Sequence, residues 1–478
     1  MKKNSKITTL AVKAMGIFGG VQMFGILCAF VRSKLVALWI GPAGVGLFAI
    51  FNQALEMLNT GTNLGIRQSS VRDISLAVEQ DDKSLRQRII AVVRRWSLWL
   101  ALGGTLVTMA LSPLLSRYTF GDYDHVWHYV ALSVAVLLMA ITNGEYAVLQ
   151  GVGKLRRLAK VMLSGNIGGL LISIPLFYRL REQSILPSII AYAACCTIAA
   201  IVVRDKPQPV ADLTRRDTLR EGAQFVRLGI YMTLGTFVTM LMTYVFTAWL
   251  NAVAGIAEVG LYQAGNVLVN KYTGLVFTAL GMEFYPRLAK VADSRRRLRV
   301  FVSQEVNVAL LVLAPVLAVF LLLRDPVIIL FYTEEFLPVS SMVAWSIGGT
   351  LFRAVSWCLA FVILARGDGR LFLLTETLSA LTSLALNILF YTHWGLEGLG
   401  IAYDVWYIIY TVIVAVVYFG YYRLTLGRSC LYALLWTVAI TVAVTAVSLS
   451  GVTAVAIILA VVSAVPTVYY LWRFVFRV

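Results

Sequence analysis

Long apolar runs recur along the chain, separated by short polar segments. Each run is long enough, at roughly 18 residues or more, to cross a bilayer as a helix. The pattern predicts an all-α polytopic membrane protein with about fourteen transmembrane helices. The expected positions are about 12–40, 43–66, 93–115, 126–149, 158–178, 185–203, 227–250, 259–282, 301–323, 341–364, 370–391, 398–421, 429–449 and 453–472.

The second run carries a regular set of polar residues in the segment "NQALEMLNTGTNLGIRQ", 52–68. They recur every three or four positions, and at 100° per residue they fall within an arc of about 80° on a helix. Polar side chains are costly in lipid, so this face is expected to line a hydrated cavity. The alternative is that it only joins neighbouring helices. The members are Asn52, Glu56, Asn59, Asn63 and Arg67.

Other runs hold further candidates for a polar cavity. Asn266 and Asn270 repeat the spacing of Asn52 and Glu56. Three cations within or at the ends of runs are candidates for contact with an anionic headgroup or a glycan: Arg32, Lys271 and Arg353. Three carboxylates are candidates for ion coupling, since acids inside membranes often lie on ion or proton pathways. These are Glu56, Glu145 and Glu376.

The distribution of basic residues predicts the orientation of the chain. With a cytoplasmic N-terminus, most of the 41 lysines and arginines fall in alternate connecting segments, as cytoplasmic loops require. The opposite loops hold only Arg117, Arg179, Arg181 and Arg324. The sequence therefore predicts that both termini are cytoplasmic.

Composition agrees with a membrane protein, since 59% of residues are hydrophobic and only 14% are charged. The net charge of +17 is explained by cytoplasmic loops that face anionic lipid. No basic stretch is interleaved with aromatic residues, so nucleic-acid binding is not expected. The five cysteines show no CxxC spacing and are interpreted as packing residues. No metal and no cofactor are predicted.

A sequence repeat indicates the internal organisation. "GPAGVGLFAIFN" (41–52) aligns without gaps on "GIAEVGLYQAGN" (255–266), and six predicted spans separate the copies. An even number of spans gives both copies the same orientation, which is the parallel type of repeat. The predicted segments are an N-lobe at 1–203 (spans 1–6), a cytoplasmic linker at 204–224, a C-lobe at 225–422 (spans 7–12) and two extra C-terminal helices at 423–478.

Three motifs indicate a family. They are "KLVALWIGPAGVGLF" at 34–48, "LFYTEEF" at 330–336 and "HWGLEGLGIAYD" at 393–404. Over about residues 5–425 the chain resembles the polysaccharide-transport branch of the MOP flippase superfamily, which includes O-antigen (Wzx-type) flippases. Many O-antigen flippases are described with twelve spans, whereas fourteen are predicted here, as in the lipid II branch. The identity of the glycan is therefore left open.

The resemblance implies a multi-pass protein of the bacterial inner membrane. It implies alternating-access transport of undecaprenyl-pyrophosphate-linked oligosaccharide, such as an O-antigen unit of lipopolysaccharide, to the periplasmic leaflet. Membrane lipid, polysaccharide polymerase and chain-length proteins are the expected partners.

One alternative is an ion-coupled multidrug extruder of the same superfamily, for which acidic or aromatic cavity residues would be expected. Another is a glycan polymerase or ligase, but the predicted outer loops are too short for a catalytic domain. An enzyme is therefore not expected.

Overall fold

A computed structural model describes residues 2–80, 82–204, 213–292, 294–449 and 453–476. Over these residues the chain forms fourteen α-helices and no β-strand. The helices are α1 (Lys2–Asn63), α2 (Ile66–Glu79), α3 (Lys83–Phe120), α4 (Val126–Gly151), α5 (Leu155–Leu180), α6 (Ile185–Val203), α7 (Arg215–Ala254), α8 (Ile256–Val291), α9 (Arg295–Leu322), α10 (Arg324–Phe331), α11 (Val339–Ala365), α12 (Gly369–Ala415), α13 (Arg428–Leu449) and α14 (Thr453–Phe476).

Two of these helices are kinked between two predicted spans. α1 bends at Gly41, where φ is 81° and ψ is −166°, and Pro42 follows directly. Glycine tolerates a positive φ, and a residue before proline is displaced from the helical region. α12 bends in the same way at Gly395, where φ is 59°. Each kink divides one long helix into two arms that match two predicted runs.

The described part of the chain contains nine helical segments that are long and apolar enough to cross a membrane. Three of them, Gly20–Asn63, Leu155–Val203 and Gly369–Tyr421, each contain two of the predicted spans. The all-helical membrane fold expected from the apolar runs is confirmed.

The two copies of the repeated sequence have the same backbone conformation at their first residue. Gly255, which separates α7 from α8, has φ 88° and ψ 169°, close to the values of Gly41. Both copies therefore reverse the chain with the same turn. The two-lobe arrangement that the repeat suggests remains a prediction.

Helix contacts divide the chain into two compact units, Met1–Gly260 and Leu261–Val478. In the first unit α3 packs on α4, α5 packs on α6, and α1 contacts α5 and α7. In the second unit α11 packs on α12, and α9 contacts α11, α13 and α14. The four predicted segments remain a prediction, and residues 205–212 of the predicted linker lie outside the described residues.

Two helices were not predicted, α2 and α10. Both are too short to span a bilayer. α2 contacts α3, α4 and α7, and it buries Ile66 and Ile74 completely. Hydropathy missed α2 because its apolar residues occupy one face only.

Candidate functional site

The second arm of α1 carries four of the five polar residues predicted to share one face. The Asn52 amide donates to the carbonyl oxygen of Phe48, one turn earlier, at 2.7 Å. The Asn63 amide donates to the side-chain oxygen of Asn59 at 2.5 Å, while the buried side-chain oxygen of Asn63 accepts no hydrogen bond. Glu56 is solvent-exposed in the first unit. The amides are thus held mainly by their own helix.

Arg67 does not continue this helix, so the expectation of one uninterrupted polar face from Asn52 to Arg67 is wrong. α1 ends at Asn63, and Leu64 and Gly65 both have positive φ values. A Cβ on Gly65 would lie 2.5 Å from the carbonyl oxygen of Gly229. The turn therefore packs directly against the backbone of α7, and Arg67 projects from α2 instead.

The guanidinium of Arg67 lies against α4. Its carbon is 5.4 Å from the centre of the Tyr146 ring, and one of its nitrogens donates to the Asn143 side-chain oxygen at 3.4 Å. Cations are attracted to the face of an aromatic ring, more strongly where water is excluded. Arg67 is therefore positioned by an aromatic ring and a neutral amide.

Arg32, on the first arm of α1, has a similar environment. It is only 9% exposed, and its guanidinium carbon lies 4.4 Å from the centre of the Tyr192 ring on α6. The Tyr192 hydroxyl donates to the Asn166 side-chain oxygen on α5 at 3.1 Å. The Nε atom of Arg32 is buried and has no hydrogen-bond partner in the described part of the chain.

Cys196 connects the surroundings of the two arginines, because its thiol interacts with the side chains of both Tyr146 and Tyr192. We call Arg32, Arg67, Tyr146, Tyr192 and Cys196 the arginine–tyrosine cluster. Among the described residues, neither arginine forms an ion pair with a carboxylate. The cluster therefore holds two largely buried positive charges without a counterion among the described side chains.

The second unit has a comparable arrangement around Arg353 on α11. A guanidinium nitrogen donates to the Asn270 side-chain oxygen at 2.6 Å and to the Tyr403 hydroxyl at 3.1 Å. The guanidinium carbon lies 5.0 Å from the Phe277 ring centre and 5.6 Å from that of Tyr407. No carboxylate of the described part of the chain pairs with it. The contacts bring Arg353 together with Asn270, and a common role of the two in a substrate cavity remains a prediction.

Arg353 and Glu376 line a cavity of about 210 Å³ between α11 and α12, together with Trp357, Tyr407 and Tyr410. The Tyr410 hydroxyl donates to the Glu376 carboxylate. A base and an acid thus line one cavity without forming an ion pair. Ion coupling by Glu376 remains a proposal.

The other predicted residues lie elsewhere. Lys271 is exposed, on the same helix as Asn270. The Asn270 amide donates to the Asn266 side-chain oxygen at 2.6 Å, which extends the polar site along α8. Glu145 is buried and accepts two hydrogen bonds from the Arg94 guanidinium, at 2.8 and 2.9 Å. Its surroundings are those of a structural ion pair, and a coupling role for it is untested.

Sequence reasoning missed the aromatic partners of the arginines. Tyr146, Tyr192, Tyr403 and Tyr407 lie inside apolar spans, where a tyrosine resembles any other large apolar residue in a hydropathy pattern. Tyrosine is usually enriched at the interfacial ends of a span. The sequence signal that could have identified these four residues is a tyrosine located away from those ends.

Comparisons with known proteins agree with this architecture. The profile of a family described as "Polysaccharide biosynthesis protein" matches residues 13–341. Proteins described as lipid III flippase in Escherichia coli (strain K12) and Shigella flexneri are each 24% identical over 392 residues, covering 79% of this chain and 90% of the relative.

Solved structures extend the similarity to most of the chain. An inward-facing multidrug resistance MATE family transporter of the MOP superfamily matches with a TM-score of 0.69 and 14% identity, covering 84% of this chain and 94% of its own. The lipid II flippase MurJ in its inward closed conformation matches with a TM-score of 0.66 and 12% identity, covering 96% and 99%. At these identities the likeness concerns the fold.

Proposed function

Since the chain belongs to the polysaccharide biosynthesis protein family, we propose that it moves a lipid-linked oligosaccharide from the cytoplasmic to the periplasmic leaflet of a bacterial inner membrane. The observation that carries the proposal is the arginine–tyrosine cluster. A buried charge is costly unless it is paired. A pyrophosphate headgroup would supply the negative charge that no described carboxylate supplies to Arg32 or Arg67.

The chemistry of both units suits such a headgroup. A guanidinium offers a planar set of donors that matches phosphate oxygens. Amides such as Asn59, Asn63 and Asn270 can both donate and accept hydrogen bonds, as sugar hydroxyls do. Tyrosine rings provide apolar faces with a polar tip. These groups together support a substrate with an anionic phosphate group and a neutral, polar glycan.

We propose undecaprenyl pyrophosphate as the lipid carrier and a surface-polysaccharide unit, such as O-antigen, as the glycan. The curated relatives are described as lipid III flippases, which supports a lipid-linked cargo. The drug-extruder alternative predicts cationic cargo. The unpaired membrane arginines argue against it, because they would repel such molecules.

Reconstitution tests this function. The full-length chain in phosphatidylcholine vesicles should expose a fluorescent polyprenyl-pyrophosphate oligosaccharide to an impermeant quencher faster than protein-free vesicles do. Arg32→Gln should abolish this exchange, whereas Arg72→Gln, on the exposed face of α2, should retain it. A wild-type protein that exchanges cationic dyes but not the glycolipid would overturn the proposal.

A genetic test identifies the cargo. Deletion of the gene should cause one lipid-linked oligosaccharide to accumulate in the inner leaflet of the cytoplasmic membrane. Mass spectrometry of that lipid would identify the glycan. If no such intermediate accumulates in a strain that still makes the polysaccharide precursors, the assignment fails.

A further inference from the structure

A second basic site lies outside the arginine–tyrosine cluster, in a groove of the first unit. α3 and α6 both pack against α4, and a cavity of about 360 Å³ opens between them. Its polar lining consists of Arg94, Arg95, Ser97, Glu145 and Arg204. Three guanidinium groups and one carboxylate give this groove, here named the α3–α6 groove, a net positive charge.

Part of this charge is available to a ligand. Glu145 neutralises Arg94 through its two hydrogen bonds. Arg95 donates to the Leu213 carbonyl oxygen at 2.9 Å and to the Thr218 hydroxyl at 3.1 Å, both neutral acceptors. Arg204 is exposed at the end of α6 and has no partner among the described residues. Among the residues that the structure describes, no carboxylate compensates the charges of Arg95 and Arg204.

A buried hydroxyl in the groove also lacks a partner. Ser97 is 4% exposed, and its Oγ atom forms no hydrogen bond with any residue that the structure describes. The floor beside it is Gly144, where a Cβ would lie 2.3 Å from the Ser97 Oγ. A buried hydroxyl normally bonds to protein or to a bound molecule. The unsatisfied Ser97 is therefore a second indication of a ligand at this position.

Two tryptophans beside the groove favour a position at the headgroup layer. Trp96 and Trp99, with ring centres 5.7 Å apart, occupy the same turn of α3 as the basic residues. Tryptophan is enriched where the bilayer meets water. Leu98 of α3 and Ile201 of α6 also line the cavity and are exposed, Leu98 by 48%. The site is basic at one end and apolar at the other.

We propose that the α3–α6 groove binds an anionic phospholipid, with the phosphate against Arg95 and Arg204 and an acyl chain along Leu98 and Ile201. The positive-inside pattern predicts that these arginines face the cytoplasmic leaflet, which is rich in anionic lipid. Basic pockets between membrane helices on that side are typical headgroup sites. This lipid is not the transported cargo, and the proposal does not depend on the flippase function.

Native mass spectrometry of the delipidated, full-length protein tests the site by titration with phosphatidylglycerol or phosphatidylcholine of identical chains. The wild type should prefer phosphatidylglycerol. Arg204→Gln should weaken the tightest phosphatidylglycerol binding about tenfold, the effect of losing one charge-assisted hydrogen bond. Ser97→Ala should weaken it by a smaller factor. Arg156→Gln removes an equally exposed charge outside the groove and should bind like the wild type.

Three outcomes would overturn the proposal. One is equal phosphatidylglycerol affinity for Arg204→Gln and Arg156→Gln. Another is equal affinity of the wild type for the two lipids. The third is displacement of phosphatidylglycerol by inorganic phosphate at the same concentration, which would identify a site for a soluble anion. The melting temperature of each variant, measured in the same detergent, shows whether weaker binding is due to misfolding.

Discussion

Gly46 and Gly260 pack against each other's turns in a reciprocal way. A Cβ on Gly46 would lie 2.0 Å from the carbonyl oxygen of Ile256, and one on Gly260 would lie 1.9 Å from that of Pro42. In the repeated sequence Pro42 is equivalent to Ile256, and Gly46 to Gly260. The two glycines therefore make equivalent backbone contacts.

This contact predicts that neither glycine can be replaced. Gly46→Ala and Gly260→Ala each place a methyl group against rigid backbone, and overpacking of this kind costs about 1–3 kcal/mol. Both variants should lower the melting temperature of the purified protein, and by similar amounts because the contacts are equivalent. Gly103→Ala is the control, since a Cβ there meets nothing within 4 Å. Unchanged melting of both variants would show that the turns separate readily.

The sequence predicted the helices far better than it predicted the site. Apolar runs depend on composition alone, so the spans and the break between residues 40 and 43 could be predicted directly. The break at Leu64–Gly65 could not, because it depends on the close approach of Gly229 on a helix far along the chain. The partners of Arg32 and Arg67 were also missed, because pairing between helices has no local periodicity.

Chain orientation is testable by cysteine labelling in a background without native cysteines. Ser84→Cys and Arg216→Cys should react with an impermeant reagent only from the cytoplasm, and Asp124→Cys only from the periplasm. All three positions are solvent-exposed, so failure to react would not be due to burial. Periplasmic labelling of position 216 would contradict the predicted cytoplasmic location of the first turn of α7.

Glu145 and Glu376 should differ sharply when each is replaced by glutamine. Glu145→Gln removes the negative charge from the buried pair with Arg94, a loss that costs about 3–5 kcal/mol, so the amount of folded protein should fall. Glu376 accepts its hydrogen bond from the Tyr410 hydroxyl, and glutamine can keep it. Glu376→Gln should therefore fold normally.

Transport by Glu376→Gln decides its proposed role. If Glu376 couples an ion, transport by the variant should no longer respond to an imposed proton or sodium gradient, while exchange without a gradient should continue. Normal acceleration by both gradients would exclude Glu376 as the coupling group. Tyr410→Phe is the matched control, because it removes the hydrogen bond and leaves the carboxylate in place.

The contacts of Arg353 predict a graded effect on transport. Asn270→Ala removes its acceptor at 2.6 Å, and Tyr403→Phe removes the one at 3.1 Å. Each hydrogen bond to a charged group contributes about 1.5–3 kcal/mol, so either variant should reduce transport about tenfold or more. Arg353→Lys should lose more, since an ammonium cannot copy the planar guanidinium. Transport at the wild-type rate by all three variants would show that Arg353 is not part of the proposed site.

Arg67 gives the most direct test of the arginine–tyrosine cluster. Its guanidinium is held by the Tyr146 ring and the Asn143 amide, with no carboxylate partner among the described residues. Removing it breaks no ion pair, so Arg67→Ala should reach near-normal abundance in the membrane. If the guanidinium binds pyrophosphate, transport by this variant should be abolished, and Arg67→Lys should restore only part of the transport because the bidentate geometry is lost.

Arg72→Ala, on the exposed face of the same helix, should transport normally. Glycolipid exchange in vesicles, normalised to the amount of folded protein, measures all three. Wild-type exchange by Arg67→Ala, or a defect explained entirely by lost protein, would mean that Arg67 only anchors α2 to α4.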